Sequence, residues 1–156
     1  MAANLPAAMS CMSVKTFVDS NILIYAHDAD EPSKRDTANR ILQGLWNERT
    51  GALSQQVLQE FYANATRKIA SPLSRQAARL VVNTYAPWSV EPSIAELTAA
   101  FRIEDEARIG FWDALIVAAA MKAGADRILS EDLNPGQRIG GILIENPFHS
   151  PRTKHR

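Results

Sequence analysis

The sequence predicts an α/β fold in which helices cover both faces of a parallel sheet. Short apolar runs, among them TFV at 16–18 and RIL at 127–129, are separated by longer stretches whose apolar residues recur at helical spacing. Strands that alternate with helices pair in parallel and are buried from both sides. The length agrees: 156 residues, 46% hydrophobic and 22% charged, suffice for one domain with a substantial core.

Residues 16–18 are the expected first strand, and residues 21–26 a short helix entered through Ser20. Pro32 and Ser33 open a helix that runs to Asn47, with Ala38, Ile41, Leu42 and Leu45 on one face, and Gly51 stops it. Residues 52–54 form the next strand. From Gln55, the residues Val57, Leu58, Phe61, Tyr62 and Ala65 keep helical spacing until Ser71-Pro72 interrupts. Ser74 caps a helix through Tyr85, and residues 88–90 are a strand candidate. Residues 93–108 are helical and Gly110 breaks them. The strongly apolar stretch 112–123 is a further helix, ended by Gly124. Residues 127–129 and 142–144 are the last strands, with a turn at Asn134-Pro135-Gly136 between them.

Composition narrows the function only a little. Lys plus Arg and Asp plus Glu number 17 each. Net charge therefore neither indicates nor excludes nucleic acid, since a local basic rim can stand beside an acidic pocket. Cys11 is the single cysteine, which removes a disulfide framework and a thiolate metal cluster and suits a reducing cytoplasm. The N-terminal residues lack a basic leader with a long apolar core, so no signal peptide is expected. The longest apolar run, 114–121, is too short to cross a bilayer. Residues 1–14 are read as a flexible extension, residues 15–148 as the domain, and 149–156 as a basic, frayed tail.

Ligands of such sheets bind beyond the carboxyl ends of the strands, near a topological switch point. Four acids fall where that rule asks for polar groups. Asp19 follows the first strand, and Asp132 follows the strand at 127–129. Asp113 lies in the first turn of the apolar helix, and Glu60 on the helix after the second strand. Clustered carboxylates repel one another, and a hard divalent cation removes that cost. An all-oxygen set without Cys or His suits Mg²⁺ or Mn²⁺ better than Zn²⁺. Such a cation acidifies a coordinated water and offsets charge on a phosphate.

Four stretches, FVDSNILIYA, SQQVLQEFY, FWDALIVAAA and LSEDLNPGQRIGGILIENPF, resemble in order and separation the motifs of the PIN-domain ribonucleases. The nearest likeness is to VapC-type toxins of type II toxin–antitoxin (VapBC) pairs, and it runs from Lys15 to Phe148. The resemblance implies a three-layer α/β/α sandwich with a central parallel sheet, and it implies Mg²⁺- or Mn²⁺-dependent cleavage of RNA that leaves a 5′-phosphate and a 3′-hydroxyl. It also implies a homodimer and a VapB-like antitoxin that blocks the site. On this likeness Asp19, Glu60, Asp113 and Asp132 are the catalytic, metal-binding acids, with Asn21 and Ser130 as supporting polar residues. Glu131 stands beside Asp132; the family spacing of Ser/Thr, any residue, then Asp selects Asp132.

Other polar residues have plainer readings. Asp19 competes with Ser20 for the helix cap, and Ser20 is the better one. Asp28, Asp30 and Glu31 read as solvated loop acids, and residues 104–106 as an exposed helix face. His27 reads as a loop histidine, and Arg67, Lys68 and Arg75 as ordinary surface cations. Trp46, Trp88 and Trp112 read as core or dimer contacts rather than base-stacking platforms. Three competing functions stay in view. One is a PIN-fold module that binds RNA or protein without cutting. Another is a housekeeping RNA-processing nuclease with no antitoxin. An aspartyl-phosphate phosphatase is disfavoured because Asn21 stands where its second Asp belongs. The absence of a Gly-rich loop after the first strand argues against a nucleotide cofactor.

Overall fold

A computed structural model describes residues 14–148. Cys11, nearly all of the expected N-terminal extension, and the basic tail lie outside the described residues. The elements are β1 (Thr16–Val18), α1 (Ser20–Ala26), α2 (Pro32–Glu48), β2 (Gly51–Ser54), α3 (Gln55–Ala65) and α4 (Arg75–Tyr85). A single 3-10 turn, Ala86–Trp88, leads into β3 (Ser89–Val90). Then follow α5 (Ile94–Ala107), α6 (Phe111–Lys122), β4 (Arg127–Leu129), β5 (Arg138–Ile139) and β6 (Ile142–Glu145).

The six strands lie in the order β3-β2-β1-β4-β6-β5, all parallel except the edge strand β5. The chain therefore moves outward from β1 through β2 to β3, then returns to β4 on the other side of β1. That reversal makes the β1/β4 boundary the switch point. Right-handed crossovers put the outward helices on one face and the returning pair on the other. The helix contacts agree: α1 meets α2 and α3, α3 meets α4, and α5 packs along α6. The result is the three-layer α/β/α sandwich.

Phe17, Val18, Leu53, Ile128 and Ile144 from the strands are wholly buried, with Ile22, Leu23, Val57, Phe61 and Val117 from the helices. Ala114 and the run from Ile116 to Ala120 are also buried, so α6 is a core helix. This explains its lack of an exposed polar stripe.

Several sequence expectations shift. Strand β5 was not anticipated: it pairs antiparallel with β6 through a two-residue turn, Gly140-Gly141, with φ of +57° and +81°. Both residues in the left-handed region give the hairpin turn whose twist suits neighbouring strands. Gly51 and Gly110 do not stop helices. The left-handed caps are Arg49 and Arg108, at φ of +57° and +55°. Gly51 instead lies under the Trp88 ring, where an added Cβ would stand 2.5 Å from a ring carbon. Gly110 is the N-cap of α6. No helix among the described residues is long and apolar enough to cross a membrane.

Candidate active site

β1 and β4 run in register, Val18 opposite Leu129, so the next residues, Asp19 and Ser130, emerge side by side at the switch point. The Asp19 amide donates to the Leu129 carbonyl at 3.0 Å. Asp19 is 6% exposed, and its two carboxylate oxygens are separately held. Oδ1 accepts from the Ser20 amide at 2.7 Å, and Oδ2 accepts from the Ser130 hydroxyl at 2.7 Å. Asp19 is thus itself the N-cap of α1, which corrects the assignment of that cap to Ser20. The extended backbone at Asp19 turns its carboxylate onto the first free helix amide. The Ser20 hydroxyl is released to donate to Glu60 Oε2 at 2.9 Å.

Asn21 joins the two sides of the switch point. Its Nδ2 lies 3.3 Å from Asp132 Oδ2 and 3.4 Å from Ser130 Oγ, and its Oδ1 accepts from the Glu131 amide at 3.3 Å. Ser130 Oγ also accepts from the Asp132 amide at 3.1 Å. Ser130 is therefore a buried hub that ties Asp19 to the backbone of the acid loop. Glu131 turns elsewhere: it accepts from Lys34 Nζ at 2.6 Å and from the Tyr25 hydroxyl at 2.5 Å.

Glu60, one turn into α3, is half-buried. Besides Ser20 it accepts from Gln56 Nε2 at 2.9 Å, and the same nitrogen lies 3.3 Å from the Trp112 carbonyl. Gln56 so links Glu60 to the first turn of α6, where Asp113 sits half-buried. Sequence reasoning overlooked Gln56, although its spacing of four from Glu60 on one helix was a usable signal. Tyr25 and Lys34 were also overlooked; nothing local marks partners some hundred residues away.

Asp19 and Asp113 both feel the charge of Glu60 and Asp132. Burial raises the Asp19 carboxyl from 3.8 to about 6, against the pull of the Ser130 and Ser20 hydrogen bonds, and Glu60 and Asp132 add to the rise. Burial also raises Asp113, helped by Asp132 and Glu60. The donor set is all oxygen and mutually repelling, which fits a hard divalent cation. Among the described residues no three acidic, imidazole or thiol side chains converge as a finished ligand set. Gln56 also lines a cavity of about 390 Å³ with Val90, Glu96, Leu97 and Leu115, but none of the four acids borders it.

One plainer reading changes. Asp28 is buried, not solvated, because its carboxylate closes the following turn by accepting from the Asp30 amide at 3.0 Å. Of the two expectations for Trp112, core or dimer contact, its 66% exposure beside Asp113 leaves the second. Trp88 does pack on the core, edge-on to Tyr85 at 5.0 Å between ring centres. His27 stacks edge-on against Phe61 at 5.7 Å, and Arg67, Lys68 and Arg75 are exposed.

The chain matches known proteins in two ways. The PIN-domain family profile matches residues 16–138. Among solved structures, a toxin–antitoxin complex from Klebsiella pneumoniae aligns with a TM-score of 0.63 at 19% identity. That alignment covers 86% of this chain and 99% of the other. At that identity the likeness speaks for the fold alone. No curated protein matches. The family profile spans most of the chain, from the first strand through Arg138, and the chain belongs to the PIN-domain family.

Proposed function

We propose that this protein is a Mg²⁺- or Mn²⁺-dependent endoribonuclease, acting in the cytoplasm as the toxin of a type II toxin–antitoxin pair. PIN domains are generally nucleases. The observation that carries the reading is the placement of a buried Asp19 and a half-buried Asp113 near the same two acids, Glu60 and Asp132, whose charge raises both carboxyls. Burying Asp19 and half-burying Glu60 and Asp113 beside one another's charge is costly, and a bound cation would offset that cost.

A divalent cation bound there would supply an acidified water for attack on the phosphodiester and would offset charge on its oxygens. Asp19, Asp113 and Asp132 would hold it, and Glu60 would ligate or orient its water. Ser130 and Ser20 fix the Asp19 carboxylate so that it need not reorganise on loading. Asn21 does the same for Asp132. With no histidine among these contacts, the chain offers carboxylates as its only proton acceptors at the site. The antitoxin partner is supported by the Klebsiella complex, and a homodimer by the exposed Trp112 and Phe101 beside the site.

The test is cleavage of a mixed RNA pool by protein freed of co-purifying partners, with Mn²⁺, with EDTA, and with Asp113→Asn in parallel. Cleavage that needs metal and that the variant lacks is the expected outcome. Equal cutting by both proteins would refute the assignment, since the activity would then belong to a contaminant.

A further inference from the structure

We infer that Lys34 and Tyr25 are positioning residues for the acid loop: through Glu131 they hold residues 130–132 so that Asp132 faces Asp19. This rests on the reading of the four acids as a metal site.

Two acids stand side by side after β4, and either is long enough to reach a cation. Residues 131–133 form a bend beyond the end of β4, so strand alternation does not assign the two acids to sides. What decides the register is which of the two is claimed from the other side. Glu131 is claimed twice. Lys34 Nζ lies 2.6 Å from Oε1 and the Tyr25 hydroxyl 2.5 Å from Oε2, and the two donors are themselves 3.1 Å apart. The result is a closed network of three side chains with charge-assisted bonds, which are stronger than neutral ones.

The network is anchored on separate elements. Tyr25 comes from α1, Lys34 from the first turn of α2, and Glu131 from the loop after β4. Phe148, beyond β6, packs edge-on to Tyr25 at 5.0 Å. The Lys34 ammonium sits 4.5 Å over the Tyr25 ring and 5.8 Å from the Phe148 ring centre, a cation–π placement that fixes the head group. Lys34 and Glu131 side chains are 32% and 28% exposed, so the pair is partly shielded from water. An isolated exposed ion pair contributes little. This one is braced by a phenol, an aromatic cover, and the Glu131 amide bonded to Asn21.

Two consequences follow for the site. Asp132, although exposed, keeps its Oδ2 at 3.3 Å from Asn21. The Glu131 charge is matched by Lys34, so no fifth unpaired carboxylate faces the cation. Without the strut, Glu131 would lose the Lys34 and Tyr25 bonds, and its carboxylate would compete with Asp132 for a bound cation.

Calorimetric titration of Mn²⁺ into the full chain tests this, with Lys34→Met, Lys34→Arg, Tyr25→Phe, Glu131→Gln and Asp132→Asn. Thermal melts show that each variant is folded. Lys34→Met should weaken Mn²⁺ binding roughly 10-fold, as loss of a residue orienting a metal ligand does, and Lys34→Arg should restore most of it. In cleavage assays Lys34→Met should raise the half-saturating Mn²⁺ by the same factor, while KM for RNA and kcat at saturating metal stay within about twofold. Wild-type Mn²⁺ affinity in Lys34→Met and Tyr25→Phe would overturn the strut and leave the metal site standing. So would a Glu131→Gln defect as deep as that of Asp132→Asn with Lys34→Met unaffected, because Glu131 would then be a ligand itself. No Mn²⁺ heat in the wild type would remove the metal reading and the strut with it.

Discussion

Asp19 does two jobs that pull in opposite directions. Its carboxylate caps α1 and accepts from Ser130, yet burial beside Glu60 and Asp132 makes its charge costly. The sign follows from linkage. Its folded pKa of about 6 lies above the ordinary 3.8, so the folded chain binds a proton that the unfolded chain releases. Stability from this group is fully present below pH 3.8 and is lost as pH rises through about 6, a total of roughly 3 kcal/mol. Asp19→Asn keeps an oxygen for the Ser20 amide and removes the buried charge, at the cost of the Ser130 hydroxyl's acceptor. It should therefore stabilise the metal-free protein by about 1–3 kcal/mol near neutral pH, with the gain shrinking toward zero near pH 4. Urea unfolding of both proteins at the two pH values measures this. Mn²⁺ should raise the melting temperature of the wild type near neutral pH and that of Asp19→Asn much less. A stability difference that ignored pH would mean that the Asp19 carboxyl is not raised.

At the scale of elements, the site is assembled by register and helix ends rather than by any one motif. β1 and β4 deliver Asp19 and Ser130 side by side, and Gln56 ties the start of α3 to the start of α6. The far end of β2 is held differently. Trp88 packs over Gly51, with Tyr85 and Trp46 around it at ring distances of 5.0 and 5.6 Å. A Cβ at residue 51 would meet three carbons of the Trp88 ring at 2.5–2.7 Å. Gly51→Ala should therefore cost about 1–3 kcal/mol by overpacking. The double variant Gly51→Ala with Trp88→Leu should cost less than the sum of the single changes, because the clash goes with the ring. Chemical denaturation of the four proteins gives the coupling; strict additivity would show that the ring is not what Gly51 accommodates.

For the whole molecule, the switch point concentrates acids at one place while the formal net charge is zero. Substrate attraction must then come from cations outside the cluster or from a second copy. Trp112 and Phe101 are large, exposed and close in the fold, with Phe111 bridging them at ring distances of 5.1 and 5.9 Å. A surface of this kind on a small domain suits burial against another protomer. Light scattering should give twice the 17.2 kDa chain mass, and Trp112→Ala should shift the protein toward the single-chain value. A wild type that stays monomeric at high concentration would exclude the homodimer.

Much of this was legible along the chain. Apolar period and strand-ending polar residues marked β1, α3, α6 and β4, because those patterns follow from local geometry and burial. The positions of Asp19, Glu60, Asp113 and Asp132 stood out through the order of four short motifs, and the family they resembled is the one to which the chain belongs. The antiparallel strand β5 was too short to show a period. The Asp28 turn and the Asp19 cap were misread because a residue type alone does not say where its side chain points. Only the tertiary structure shows that Glu131 turns to Lys34 and Tyr25, which meet that loop from about a hundred residues away. It alone decided that Gly51 makes room for Trp88, a steric demand between elements that leaves no trace in local sequence. Local pattern specifies what each segment becomes; pairing across the switch point sets which side chains meet, and through them which charges must be neutralised.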